Sequence, residues 1–484
     1  DTEKAVRDYV KKLMGRLVFI QFLQKKGWMG CSAGESWSDG DKEFVQNLFV
    51  KTSYKNTFVD DVLEPLFNDI NTKRIGDLAS SPNVGVGIKI PYLNGGLFEK
   101  DDYDKTKFPL PAEFMKKLLD FFASYNFTID ENDPDDAEIG VDPEMLGRIF
   151  ENLLEDNKDK GAFYTPKEIV QYMCRESLIA YLQTDVKDDT IKQSIRQFVS
   201  TYDETVLPEK LKETVDQKLK DVKICDPAIG SGAFPMGLLK ELYACRKAIE
   251  GIDNDTAVSI KTHIIQNNIY GVDIEKGAVD IARLRFWLAL IVDERDPHAL
   301  PNMDFKIMQG NSLLEQYEGV ELSGISIDEQ KKRKTKKGQL WQATLAFDEK
   351  YALDNIQSAI KKYYLTNDYN AKPNLRSIIN ENVRNYIINL KGCTPDVQRK
   401  IEQLPIPNDK FFLWHIYFKE VFDKGGFDIV IANPPYIDSE SMVNQGMGEL
   451  RNILKKHHSS LEGNWDIYMA FLEFSLAIAK TVIF

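Results

Sequence analysis

The chain has 484 residues, 43% of them apolar, enough for a sizeable core and for roughly two to four domains. With 75 acidic against 62 basic side chains its formal charge is −13, which neither advertises a nucleic-acid binder nor excludes one, since binding depends on where the basic groups lie. The five cysteines, at 31, 174, 225, 245 and 393, show no CxxC or CxxH spacing, which argues against a zinc site or a disulfide framework and fits a reducing compartment. The apolar stretch from Leu13 to Met29 is broken by Arg16, Gln21 and two lysines, so it reads as a core helix rather than a membrane span. A soluble, cytoplasmic protein is expected, and the start at Asp1 without methionine suggests an excised fragment.

Residues 1–155 are expected to form a mainly helical domain. Apolar side chains recur at helical spacing through Val6, Val10, Leu13, Leu17 and Phe22, and again through Phe114, Leu118 and Phe122. The acidic stretch DENDPDDAE (130–138) has the composition of a linker. A helix is predicted over 141–155, with Pro143 in its first turn.

From about residue 160 short apolar strands alternate with helices. DVKICD, NNIYGVDI and DFKIMQ read as strands; FPMGLLKELYACRKAIE and AVDIARLRFWLALIVD read as helices. This rhythm predicts a parallel, doubly wound α/β sheet. Residues 313–410 interrupt it as a polar, mainly helical insertion that contains the basic run KKRKTKK (331–337). That run is either a solvated loop or a contact to phosphates. The rhythm returns at about 411 and leads into FDIVIANPPYI. The expected domains are thus 1–155, 156–312, 313–410 and 411–484.

ICDPAIGSGAFPMG places Asp226 at a strand end, followed by Gly230 and Gly232. In an open α/β sheet the ligand lies beyond the carboxyl ends of the strands, where glycines let the backbone approach it. A triphosphate loop would need a lysine that is absent, and a dinucleotide loop would need its third glycine two positions earlier. S-adenosylmethionine carries no phosphate and needs a glycine turn with nearby carboxylates. Asp226 suits one such role, and Asp273, ending the next strand, suits the ribose hydroxyls. The spacing between the two acids requires an extra helix or loop between Arg246 and Ile264.

Asn433-Pro434-Pro435-Tyr436 ends the strand at residues 429–432. Proline lacks an N–H and has a fixed φ, so the turn is rigid. It presents the Asn433 side-chain oxygen and the Pro434 carbonyl as two fixed acceptors, which match an –NH2 group with two donors. Tyr436 adds a ring on which a planar substrate can stack. The five histidines form no catalytic pattern, and no metal-ligand cluster is visible.

DPAIGSGAF, IYGVDI, QGNSLL and IANPPYI, in this order, resemble the motifs of amino-methylating methyltransferases, and GAFYTPKEIVQYM resembles their additional cofactor motif. PYLNGGLFE, VDPEMLGRIFENLLE and FFLWHIYFKEVFDKGGFDIVIANPPYI extend the likeness, over about 90–475, to the type IIG restriction–modification enzymes and related phage-defence adenine methyltransferases. The resemblance implies a Rossmann-like, doubly wound S-adenosylmethionine-dependent methyltransferase sheet, preceded by a helical domain and carrying a helical insertion. It implies a cofactor site of Phe163, Tyr164, Thr165, Asp226, Pro227, Ala228, Gly230, Ser231, Gly232, Asp273, Ile274, Asn311 and Ser312. Catalysis would fall to Asn433, Pro434, Pro435 and Tyr436, with NPPY favouring adenine N6 over cytosine N4. Thr165 and Pro166 also read as the N-cap and first residue of a helix. Asp466 and Tyr468, in NWDIYMAFLEF, suit either the cofactor side or a structural role.

The implied partner is double-stranded DNA, with no membrane. No PD…(D/E)xK nuclease pattern is present, and the chain stops at AIAKTVIF, before the last strands of such a sheet. A nuclease and a target-recognition domain would therefore lie outside it. Two other readings stay open: a protein glutamine N5-methyltransferase, and a non-catalytic fragment that binds DNA or a partner. A nuclease-bearing subunit would need residues that are not here.

Overall fold

The computed structural model describes residues 2–93, 96–100, 110–125, 127, 165–251, 254–322, 347–366, 371–390 and 392–484. The acidic stretch 130–138, the helix expected at 141–155, the basic run 331–337, and Phe163 and Tyr164 lie outside the described residues. The chain divides into two compact units, residues 1–150 with 280–302, and residues 151–279 with 303–484. Among the described residues no helix is long and apolar enough to cross a membrane.

In the first unit, helix α1 (Thr2–Lys25) buries Leu13, Leu17 and Phe22 but leaves Val6 and Val10 exposed. Its Arg16 is buried with its charge satisfied: Nε donates to the Leu97 carbonyl at 3.0 Å, Nη2 to the Glu99 carbonyl at 2.9 Å, and Glu64 lies 3.4 Å away. Helix α2 (Ala112–Ala123) buries Met115, Leu119 and Phe122. The expected face through Phe114 and Leu118 is thus rotated: Phe114 is exposed, because Met115, Leu119 and Phe122 also repeat at helical spacing and take the inner side. Just beyond α1, Lys26 donates to the Val292 carbonyl at 2.8 Å and to that of Ile291, satisfying carbonyls at the end of helix Lys276–Ile291.

The second unit is built on a five-stranded parallel sheet. Its strands are β1 (Ile224–Asp226), β2 (Ile269–Asp273), β3 (Ile307–Gln309), β4 (Phe427–Ile431) and β5 (Ala479–Ile483). Their order is β3-β2-β1-β4-β5, with every neighbouring pair parallel. All three residues of β1 are buried, as is most of β4, which explains their continuous apolar runs. The order reverses between β1 and β4, and crevices at such a switch point hold ligands in open α/β sheets. The long step from β1 to β2 holds helix Asn254–His263 and one π-helical turn, Ile264–Asn268, as the spacing of Asp226 and Asp273 required.

Helices α3 (Lys167–Leu182) and α4 (Ala233–Glu250) pack closely beside the sheet. Gly237 permits this, because a Cβ there would fall 2.7 Å from Val170 Cγ1 and 2.9 Å from the Cys174 sulfur. The insertion is part of the same core. Helices α5 (Phe347–Leu365), α6 (Lys372–Ile388) and α7 (Pro395–Gln403) contribute Ile356, Tyr363, Ile379, Val383 and Ile401 to one cluster with Cys225, Tyr270, Val272, Met308 and Val430 of the strands. Arg376 on α6 pairs with Asp304, just before β3, at 2.6 Å. A smaller core follows β4: Ile437, Met442, Leu454, Leu461, Trp465, Ile467 and Phe471, with Ala228 and Leu313 packed against it.

Candidate active site

The loop after β1 is a compact turn. Gly230 has φ +52° and Gly232 φ +86°, backbone that glycine adopts without strain, and Gly232 N–H donates to the Ile229 carbonyl at 2.8 Å. Helix α4 begins at once, with Gly232 at its N-cap. A Cβ on Gly230 would meet nothing nearer than the Ala228 carbonyl at 4.0 Å, so the turn is open at that point.

Asp273 ties this turn to β2. Its Oδ2 accepts from Gly230 N–H at 2.8 Å and its Oδ1 from Glu275 N–H at 2.8 Å. Ile274 beside it is exposed, an apolar side chain next to a half-buried carboxylate. Asp226 is buried and accepts from Ala228 N–H at 3.0 Å. Burial holds its carboxyl well above the ordinary range, the Ala228 bond opposes this, and nearby Asp273 adds to it. A buried acid of this kind is suited to receive a cationic ligand group.

The loop after β3 closes over the turn from the other side. Ser312 is buried, and its hydroxyl donates to the Pro227 carbonyl at 2.5 Å, while its own carbonyl accepts from Trp414 Nε1 at 3.0 Å. Asn311 accepts from Leu313 N–H at 3.2 Å. Ser312 thus fastens the β1 and β3 loops together. Ser231 is also buried.

Beyond β4, Asn433 and Pro435 are half-buried, Pro434 is buried and Tyr436 is 49% exposed. Asn433 is bonded at both ends of its amide. Its Nδ2 donates to Thr165 Oγ1 at 3.0 Å, and its Oδ1 accepts from the Tyr436 hydroxyl at 2.9 Å. Thr165 therefore does not cap α3. The helix starts at Lys167 with Pro166 at its N-cap and no side-chain cap, since the threonine hydroxyl is turned to Asn433.

Asp466 organises the ring side of the loop. Its Oδ1 accepts from Ile437 N–H at 3.2 Å and from Tyr468 N–H at 3.1 Å, the latter as N-cap of α8 (Ile467–Ile478). Ile467 N–H donates back to the Ile437 carbonyl at 3.0 Å, closing a short antiparallel bridge. This brings Tyr468, 38% exposed, beside Tyr436, with ring centroids 5.8 Å apart at 48°. Of the two readings of Asp466, the structural one describes its bonds. The pairing of Tyr468 with Tyr436 had no sequence signal beyond an aromatic early in a helix; the bridge that creates it is a tertiary contact. Among the described residues no cluster of His, Cys, Asp and Glu could hold a metal ion.

The turn, Asp226, Asp273 and Asn433 all lie where β1, β2 and β4 end, on the side of the sheet where the chain order reverses. Two family models match the part of the chain that carries these residues. Residues 267–484 match the Eco57I restriction-modification methylase family, and residues 202–327 match the DNA-methyltransferase domain of MmeI. By these two matches the chain is similar to restriction–modification methyltransferases.

It is also similar to a putative type II restriction enzyme and methyltransferase, RM.MjaORFECS2P, of Methanocaldococcus jannaschii. The two are 27% identical over 537 residues, covering 97% of this chain and 43% of the relative. It is also similar to the adenine-specific methyltransferase BrxX of Escherichia coli O9:H4, 22% identical over 355 residues, covering 69% of this chain and 27% of the relative. The chain thus spans less than half the length of either curated relative. A solved type IIL restriction-modification enzyme, MmeI in complex with DNA, aligns over 96% of this chain and 45% of its own, at 13% identity and a TM-score of 0.48.

Proposed function

We propose that this chain transfers a methyl group from S-adenosylmethionine to the exocyclic N6 of an adenine flipped out of double-stranded DNA, as the modification part of a type IIG restriction–modification enzyme. The observation that carries the reading is the position of Asn433, at the carboxyl end of β4 and next in the sheet to the strand that bears the glycine turn. The adenine-specific relative and the NPPY sequence favour adenine as the base.

The residues present suit the cofactor. The open turn at Gly230 admits a ligand close to backbone, Asp226 offers a buried carboxylate to an ammonium group, and Asp273 offers one to ribose hydroxyls. Ile274 gives apolar surface for an adenine ring. Bound S-adenosylmethionine supplies an electrophilic methyl group on a sulfonium sulfur. The protein's part is to position the base. Asn433 Oδ1 and the Pro434 carbonyl accept the two N–H groups of the target amine, which turns its lone pair from the ring toward the incoming methyl group. Unstacking a base costs a few kcal/mol, and stacking on Tyr436 and Tyr468 returns roughly 1–3 kcal/mol. Holding the reactants in line contributes on the order of 7–11 kcal/mol at most. The amine becomes cationic as the bond forms and then loses a proton to water, so the step needs no strong base.

Methyl transfer from radiolabelled S-adenosylmethionine to unmethylated plasmid DNA, followed by nucleoside analysis, tests this. N6-methyldeoxyadenosine that disappears in Asn433→Ala supports the reading. Label in N4-methyldeoxycytidine, or in protein glutamine, overturns it.

A further inference from the structure

An asparagine amide can face a site with its oxygen or with its –NH2 group, and the two are nearly isosteric. Only the oxygen can accept from a target amine; reversed, the amide would set donors against donors. The orientation of Asn433 is therefore a requirement of the reaction proposed above, on which this inference rests. Two hydroxyls flank the amide: Thr165 Oγ1 at 3.0 Å from Nδ2 and Tyr436 OH at 2.9 Å from Oδ1.

The two anchors differ in firmness. Tyr436 is about half exposed and stands where an incoming base would stack. Thr165 precedes Pro166, whose φ of −56° and ψ of 146° hold it outside the helix, and the helix it leads is packed in the core through Val170, Cys174 and Leu178. The Cys174 sulfur lies 3.6 Å from the Phe234 carbonyl, which locks α3 to the first turn of α4. The Thr165 hydroxyl is thus a fixed point, and it caps no helix.

We infer that Thr165 is a positioning residue for Asn433: its hydroxyl oxygen accepts from Nδ2 and so keeps Oδ1 turned to the target amine. It acts through the amide rather than as a ligand of the cofactor. Residues from the start of the unit and from its fourth strand then work as one piece.

The test uses the full chain with Thr165→Val, which keeps the shape and removes the hydroxyl, and Thr165→Ser, which restores it. Methyl transfer to unmethylated plasmid DNA is measured beside calorimetric binding of S-adenosylhomocysteine. Side-chain amide signals of protein labelled with 15N-asparagine are recorded, with the Asn433 pair assigned through Asn433→Asp. The valine variant is expected to lose roughly 10- to 100-fold in kcat, the scale of a misplaced reactive group, with KM for DNA and S-adenosylhomocysteine affinity little changed. The Asn433 amide signals should shift in Thr165→Val and return in Thr165→Ser, with the rate. Unchanged kcat in Thr165→Val, or a parallel loss of S-adenosylhomocysteine binding, overturns the inference. Should Thr165→Val not fold, Thr165→Ser must keep both rate and amide signals, and failure there overturns it too. A folded wild type that methylates no DNA sinks the functional reading instead; the amide signals then still decide whether Thr165 holds Asn433.

Discussion

Ile229 fills the space that a side chain at Gly271 would occupy: a Cβ there would lie 2.3 Å from Ile229 Cδ1 and 3.1 Å from its Cβ. The residue before the glycine turn is thus pressed against the strand that carries Asp273, and Ile229 N–H donates to the Val272 carbonyl at 3.0 Å. Gly271→Ala should overpack this contact and cost about 1–3 kcal/mol of stability. Adding Ile229→Val, which removes Cδ1, should recover part of that loss. Chemical denaturation of the single and double variants measures both, and additive losses would show that the contact carries no coupling.

Tyr436 combines a ring with a hydroxyl that donates to Asn433. Tyr436→Phe keeps the ring and should hold DNA affinity close to that of the wild type. Tyr436→Ala should lose roughly 1–3 kcal/mol of base stacking, read as a rise in KM for DNA. Fluorescence of 2-aminopurine placed in substrate DNA reports the flipped base in each case. Equal losses in the two variants would assign the effect to the hydroxyl.

The Asp226 carboxyl is held above its ordinary value by burial. A cationic ligand group favours the ionised form, so binding it releases a proton, and affinity should rise with pH until Asp226 ionises unaided. Calorimetry of S-adenosylmethionine at several pH values and in buffers of different ionisation enthalpy checks this. Asp226→Asn should bind more weakly and lose the dependence.

Two groups near the β3 loop give stability opposite slopes with pH. Burial raises the Glu315 carboxyl to about 8, against the bond it accepts from Trp414 N–H at 2.9 Å. Between the ordinary 4.5 and about 8 the native state holds a proton that the unfolded chain gives up, so this group's contribution falls as pH rises. Burial lowers His415 to about 4, so between about 4 and the ordinary 6.5 the unfolded chain binds a proton that the native state refuses, and stability falls as pH falls. Glu315→Gln should remove the fall in stability between about pH 6.5 and 8 and, between 4.5 and 6.5 where the two slopes oppose, leave the steeper rise due to His415, as measured by Tm against pH.

The strands of the site were legible because each is buried on both faces and stops at a residue that breaks the pattern. Asp226, Asp273 and Asn433 stand at such ends, so their common edge could be read from the β/α rhythm. The Thr165–Asn433 bond could not, since proline-flanked threonine carries an equally good local signal for a helix cap and only tertiary packing decides between them. Helix α2 shows the same limit, because its sequence offers two apolar stripes and the neighbouring elements choose the one with Met115. The insertion reads in sequence only as a polar, mainly helical interruption of the sheet. Its buried side chains, such as Tyr363 and Val383, are spaced among charged neighbours, and their shared core with β2 and β3 is a fact of packing alone.

The pairing of β1 with β4 also bears on how the site comes into being. Ile224 lies against Ile429 and Cys225 against Val430, partners separated by most of the unit's chain. The entropy of closing so long a loop grows only with the logarithm of its length, so lengthening the insertion costs little at equilibrium. It costs more in time, because contacts distant in sequence slow the search for the native state. The glycine turn and β2 can form from neighbouring segments, whereas Asn433 arrives only when β4 slots in beside β1. On that ground the glycine turn is expected to assemble with β2 before β4 brings Asn433 beside it, an order that pulse-labelled hydrogen exchange of the two segments would read.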